Sequence, residues 1–178
     1  MKILLAITGA SGLEYGRRLA EILQKNKTTE CSVVISSGAK EVAKAESGKL
    51  PKADYWEYDF NCPYASGSNP PDAMIIAPCS LKTLGEIANG VGNSLITRAA
   101  EVALKERKKI ILVVRDTPYS LITIKNMEKI TLAGGIILPA CPGFYGKPKR
   151  VEDLIDFVVA RVLDQLGVKH KLGKRWKE

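Results

Sequence analysis

Short apolar runs alternate along this chain with longer stretches in which apolar side chains return every three or four positions. Residues 3–7 form the first run, which ends in Thr8-Gly9-Ala10-Ser11-Gly12. Helical spacing follows, with Leu13, Leu19, Ile22 and Leu23 apolar. Residues 32–36 carry Val33, Val34 and Ile35 and predict a second buried strand. The spacing predicts a short helix over 40–46, and residues 51–61 leave open a strand near 55–58. Residues 64–71 are a loop by composition, with Ser66, Gly67, Ser68, Asn69, Pro70 and Pro71. Residues 73–77 predict a third strand stopped by Pro78. Helices are expected over 81–88, 94–107 and 119–133, with strands over 109–114 and 136–138 and a loop over 139–150. The last helix is the clearest: Val151, Leu154, Ile155, Val158, Val159, Val162, Leu163 and Leu166 follow the i, i+3, i+4, i+7 rule.

Strands that are apolar throughout, alternating with helices, predict an α/β fold. Its form is a three-layer, flavodoxin-like or Rossmann-like parallel sheet with helices on both faces. The 178 residues suit one domain, with residues 168–178 as a basic tail. Ligands of such sheets bind beyond the carboxyl ends of the strands. The informative segments are therefore 8–12, 36–38, 78–83, 115–119 and 139–145.

Composition narrows the chemistry. Lys plus Arg number 27 and Asp plus Glu 19, a net charge of +8 that invites an anionic partner. Lys169, Lys171, Lys174, Arg175 and Lys177 crowd the tail beside His170, the only histidine. No RNA-binding aromatic motif or zinc-finger spacing accompanies that charge, so nucleic acid is not the expected partner. One histidine argues against histidine-based metal sites and a Ser-His-Asp triad. Cys31, Cys62, Cys79 and Cys141 are scattered, with no C-x-x-C, and are expected to be reduced, buried and inert. No apolar stretch is long enough to span a bilayer, and the N-terminus does not read as a signal peptide. A cytoplasmic protein without a membrane segment is expected.

Several constellations could carry chemistry. Gly9-Ala10-Ser11-Gly12, between a strand and a helix, lets backbone approach a ligand and offers free N–H groups to a phosphate. A plain tight turn with a serine cap would read the same way. Ser80 is a good cap for the helix that follows, while Lys82 in the first turn opposes the helix dipole unless an anion lies nearby. Arg98 and Lys105, seven apart, share a helix face about 10 Å apart. Glu101 between them could complete an ordinary salt-bridge ladder. Arg115-Asp116 follows a buried strand and could be either a ligand group or an ion pair. Arg161 flanks the apolar stripe of the last helix.

Together these segments resemble the UbiX family of flavin prenyltransferases over nearly the whole chain. The matching pieces are Gly9-Ala10-Ser11-Gly12, Ala65-Ser66-Gly67-Ser68, Ala77-Pro78-Cys79-Ser80-Leu81-Lys82-Thr83-Leu84 and Thr97-Arg98-Ala99-Ala100-Glu101. They continue with Leu104-Lys105-Glu106-Arg107, Arg115-Asp116-Thr117-Pro118, Pro142-Gly143-Phe144-Tyr145 and the stretch from Val151 to Asp164. The resemblance implies a metal-independent enzyme that prenylates reduced FMN, its cofactor-like substrate, with dimethylallyl phosphate or the diphosphate. Bonds form at flavin N5 and C6, and the prenylated FMN serves a UbiD-type decarboxylase. A homo-oligomer is implied, a dodecamer with sites at subunit junctions.

The resemblance also assigns residues. Gly9, Ala10, Ser11, Ser36, Ser80, Leu81, Lys82, Thr83 and Arg115 would contact FMN. Ser66, Arg98, Lys105, Arg115, Tyr145 and Arg161 would surround the prenyl phosphate, with Arg98 donated across an interface. Ser11, Glu46 and Asp116 are the catalytic candidates, and Trp176 matches a tryptophan near the C-terminus. Asp116 stands where the family usually has glutamate, and Asn69-Pro70-Pro71 replaces an aromatic after the Ser-Gly-Ser. A non-enzymatic FMN carrier or redox module, and a flavin-dependent decarboxylase, are the competing readings.

Overall fold

The computed structural model describes residues 1–46, 48–173 and 175–176. Six parallel strands make one sheet: β1 (Lys2–Ile7), β2 (Glu30–Ile35), β3 (Tyr55–Trp56), β4 (Ala73–Cys79), β5 (Lys109–Val114) and β6 (Ile136–Ile137). Their order is β3-β2-β1-β4-β5-β6, and every neighbouring pair is parallel. The helices are α1 (Leu13–Lys25), α2 (Ser37–Ala45), α3 (Leu81–Ala88), α4 (Leu95–Lys105), α5 (Leu121–Leu132) and α6 (Val151–Leu166). The expected three-layer α/β arrangement is present. Strand order reverses between β1 and β4, where a ligand crevice opens in such sheets.

The unbroken apolar runs follow from burial on both faces. In β1, Ile3, Leu5 and Ile7 enter a core with α1 and α6, while Leu4 and Ala6 enter a second core with α3 and α4. β4 divides in the same way: Ile75 and Ala77 join the first core, Met74 and Ile76 the second. All seven β4 residues are buried, so no polar position marks an outer face.

Serine caps set most helix starts. Ser36, Ser80, Ser94 and Ser120 accept from the N–H of Ala39, Thr83, Thr97 and Thr123. These caps explain several boundary differences. The helix expected at 40–46 begins at Ser37, and the one expected at 94–107 spans only Leu95–Lys105. The strand expected to stop before Pro78 runs to Cys79, with a register shift between Ile76 and Cys79. Proline removes a donor but keeps its carbonyl. That carbonyl accepts from both the N–H and the hydroxyl of Thr8. Two-residue β3 lies within the segment left ambiguous by the sequence, so the expected fifth strand is β6.

Candidate functional site

Three loops meet at the carboxyl ends of β1, β2 and β4. Thr8 joins two of them: its Oγ1 donates to Pro78 O at 2.8 Å and accepts from Ser80 N at 2.9 Å. Gly9 lies so close to the β2–α2 turn that a Cβ there would sit 2.8 Å from the carbonyl carbon of Gly38. Gly12, at φ 89°, opens α1 with no side-chain cap. Its N–H donates instead to Glu46 Oε2 at 3.4 Å, a long bond. Gly9, Ala10, Ser11, Ser36, Ser80, Leu81, Thr83 and Glu46 therefore gather on one rim of the sheet. Lys82 belongs to the same loop, but its exposed ammonium lies 3.6 Å from Glu86 Oε1, one turn along α3. That carboxylate supplies the anion its first-turn position called for.

Arg115 extends this rim from the end of β5. Its Nε is buried and has no hydrogen-bond partner among the described residues. Asp116 does not pair with it; Asp116 Oδ1 accepts from Thr117 N at 2.8 Å. The ion-pair alternative for Arg115-Asp116 is thus excluded. Tyr15 and Tyr119 lie near the guanidinium. Burial pushes both phenols above their ordinary value, the neighbouring Cys141 adds to the rise, and Arg115 opposes it. Both phenols stay protonated near neutral pH and can donate hydrogen bonds.

Arg115 apart, the residues assigned to the prenyl phosphate fall into two groups. Ser66, Arg98 and Lys105 meet beside α4. Arg98 Nε donates to Ala65 O at 3.1 Å, and Lys105 Nζ lies directly over Gly67, where a Cβ would collide with it. Ser66 Oγ and Ser68 Oγ share a hydrogen bond of 2.8 Å. The anticipated ladder forms only in part: Arg98 pairs with Glu101, while Lys105 pairs with Glu106. Tyr145 packs on Phe157 of α6, which also carries Arg161, on the other face of the sheet. Lys105 also precedes β5 whereas Arg115 follows it, a separation of about 20 Å for six residues at roughly 3.3 Å each. Within one chain, Lys105 does not meet Arg115.

A cluster that sequence reasoning missed surrounds Tyr145 and Arg161. Asp164 accepts from Arg161 at 2.8 Å, His170 Nε2 at 3.1 Å and Arg175 at 2.9 Å. His170 Nδ1 accepts from Leu172 N, so Nε2 carries the proton in this arrangement. Burial pushes the Asp164 carboxyl upward, but the bonds from His170 and Arg175 outweigh it and hold the group below its ordinary value. Trp176 packs edge-on against Tyr145, with ring centroids 5.3 Å apart. A groove of about 330 Å³ runs between this tail and α6. Part of the tail therefore docks; Lys174 and Lys177 lie outside the described residues. The lone histidine beside Arg175 in the basic tail and the match at Trp176 were the sequence signals of this cluster; Asp164 gave none.

Cysteine burial differs from expectation at one position. Cys62 and Cys79 are buried and Cys31 half-buried, but Cys141 is exposed in the β6–α6 loop. Among the described residues no group of three or more His, Cys, Asp or Glu could hold a metal ion, and no helix is long and apolar enough to cross a membrane.

The rim suits a flavin nucleotide. Glycine backbones give it close access, the Ser11 hydroxyl makes no hydrogen bond to a described residue, and a buried guanidinium nitrogen waits for an acceptor. Fold and rim thus define a parallel α/β protein whose topological switch point suits a phosphorylated ligand. The Flavoprotein family signature matches residues 1–163. The chain is 47% identical to the flavin prenyltransferase UbiX of Methanocaldococcus jannaschii, covering 99% of this chain and 98% of that protein. It is 44% identical to the Pseudomonas aeruginosa enzyme of the same name, covering 99% and 94%.

Solved structures agree. AnUbiX (PadA1) in complex with FMN and dimethylallyl pyrophosphate superposes with a TM-score of 0.93 at 39% identity, covering 99% of this chain and 97% of that one. A dodecameric FMN-dependent UbiX-like decarboxylase from Escherichia coli O157:H7 gives 0.93 at 37%, with full coverage of both chains. The chain belongs to the Flavoprotein family, and within it to the UbiX flavin prenyltransferases. The cysteine decarboxylase TvaF, at 18% identity and TM-score 0.62, shares the fold alone.

Proposed function

We propose that this protein transfers a dimethylallyl group from dimethylallyl phosphate, or its diphosphate, to N5 and C6 of reduced FMN. The product would serve a UbiD-type decarboxylase. The observation that carries this reading is the buried, unpartnered Arg115 Nε at the end of β5. A flavin carrier accounts for the glycine–serine rim but not for Arg115 together with Lys105, Tyr145 and Arg161.

Reduced FMN contributes an electron-rich ring that accepts the prenyl carbons; the chain contributes binding, orientation and charge. Gly9, Ala10, Ser36, Ser80, Leu81, Lys82 and Thr83 line the flavin edge of the crevice in this reading. Ser11 and Glu46 flank its reacting edge, where a hydroxyl and a carboxylate can hold or move a proton. Phosphate leaves readily only when its growing charge is matched. Arg115, Arg161, Arg98 and Lys105, with the hydroxyls of Tyr145 and Ser66, are the matching set. Asp116, one methylene shorter than the usual glutamate, would move a proton at the departing phosphate. The departing phosphate is the group we assign to accept the C6 proton.

Separation of the two cation groups within one chain supports a site completed by a second copy. A homo-oligomer, and specifically a dodecamer, is proposed on that ground and on the similar dodecameric structure. Some similar structures carry a decarboxylase name, including phenylacrylic acid decarboxylase from Aquifex aeolicus at 46% identity. One experiment separates these activities. Protein mixed anaerobically with reduced FMN and dimethylallyl phosphate should yield a flavin heavier by one five-carbon prenyl unit. Unchanged flavin with both donors, together with carbon dioxide release from an aromatic acid, would support the decarboxylase reading instead.

A further inference from the structure

The segment around β3 supplies two carboxylates to the backbone of its neighbours. Asp54 Oδ2 accepts from Val33 N at 2.8 Å, part-way along β2. Glu57 does the equivalent at the carboxyl edge: its Oε2 accepts from Ser37 N at 2.7 Å and from Ser37 Oγ at 2.6 Å. Its main-chain oxygen also accepts from Leu95 N, the first residue of α4, at 2.7 Å. Glu57 is only 8% exposed and forms no salt bridge with a described cation. A carboxylate so buried is costly unless donors satisfy it. Ser37 and the amino-terminal end of the α2 dipole do so.

Ser36 caps α2 by accepting from Ala39 N at 3.1 Å, and Glu57 takes the first-turn N–H of Ser37 that this cap leaves free. What Glu57 holds is the turn Ser36-Ser37-Gly38. The front of that turn touches Gly9: a Cβ on Gly38 would lie 3.3 Å from Gly9 Cα, and one on Gly9 would lie 2.8 Å from Gly38 C. Two of the loops assigned to the flavin therefore share a backbone boundary, and its position is fixed from behind by one buried acid.

We infer that Glu57 is a positioning residue for the flavin nucleotide, acting through Ser37 on Ser36 and on Gly9-Ala10-Ser11. The inference rests on the flavin reading of this crevice. It is tested by steady-state prenylation with FMN and dimethylallyl phosphate varied separately. Glu57→Ala should raise the KM for FMN about tenfold, the scale of a lost charge-assisted hydrogen bond, with the KM for the prenyl donor little changed. Glu57→Gln keeps an acceptor for Ser37 N and should recover FMN affinity to within about threefold of wild type. Asp54→Ala, the matched loss on the same segment, should lower the melting temperature without moving the KM for FMN.

An unchanged KM for FMN in Glu57→Ala, or an equal rise in Asp54→Ala, would overturn the proposal. If Glu57→Ala does not fold, Ser37→Ala carries the test: a rise of about threefold is expected, and no rise overturns the proposal. Wild-type protein that bound no FMN would overturn both this inference and the flavin reading beneath it.

Discussion

Arg115 is the residue on which most of the chemistry turns. Its buried Nε has no partner, which is costly unless a ligand supplies an acceptor. Arg115→Ala should reduce prenyl transfer by at least about a hundredfold, by analogy with loss of one group that stabilises transition-state charge. Retained FMN, read by its absorbance on the purified protein, would assign the loss to the prenyl phosphate rather than to flavin binding. Thiol chemistry gives a second test at this scale. Burial pushes Cys31 up to about 12 and raises Cys62 and Cys79 as well, while Cys141 is exposed. A thiol reagent at pH 8 should label one cysteine in the native protein, with the other three reacting only after unfolding; mass mapping identifies the site.

Elements impose their own constraints. The β1–α1 and β2–α2 loops are packed backbone to backbone, so Gly9→Ala puts a methyl 2.8 Å from Gly38 C, inside any real contact. One loop must move. FMN affinity should fall at least about tenfold, measured by fluorescence quenching, while the core beneath stays intact.

The tail offers a pH test. Asp164 is held below its ordinary value, so its contribution to docking is present above the unfolded carboxyl value near 3.9 and is lost as pH falls through the lower folded value. Trp176 emission in a Trp56→Phe background should therefore change as pH falls below about 4. Asp164→Asn should abolish that transition.

At the scale of the whole molecule, the two cation groups lie on opposite faces of one sheet. Lys105→Ala and Arg161→Ala should each be inactive alone. If one copy supplies Lys105 and another Arg161, co-expression of the two variants restores about a quarter of the sites by random mixing. Activity of mixed oligomers, isolated with two affinity tags, measures that fraction. A site built within one chain would give none.

Much of this was legible from residues alone. Fully apolar strands and the 3.6-residue stripe of α6 define a parallel α/β sheet, because burial on both faces leaves no alternative pattern. The glycine–serine loops and the spacing around Ser80, Arg98 and Arg115 carried the family resemblance, since a ligand read by backbone and short side chains demands those residue types in order. Tertiary structure decided the rest. Glu57 gains its role from Ser37, 20 positions away, and Asp164 and His170 bond each other six positions apart, pairings that no local pattern announces. Whether Lys105 and Arg161 can serve one phosphate depends on which face of the sheet each helix covers. That is a property of chain crossing, and hydrophobic periodicity does not encode it.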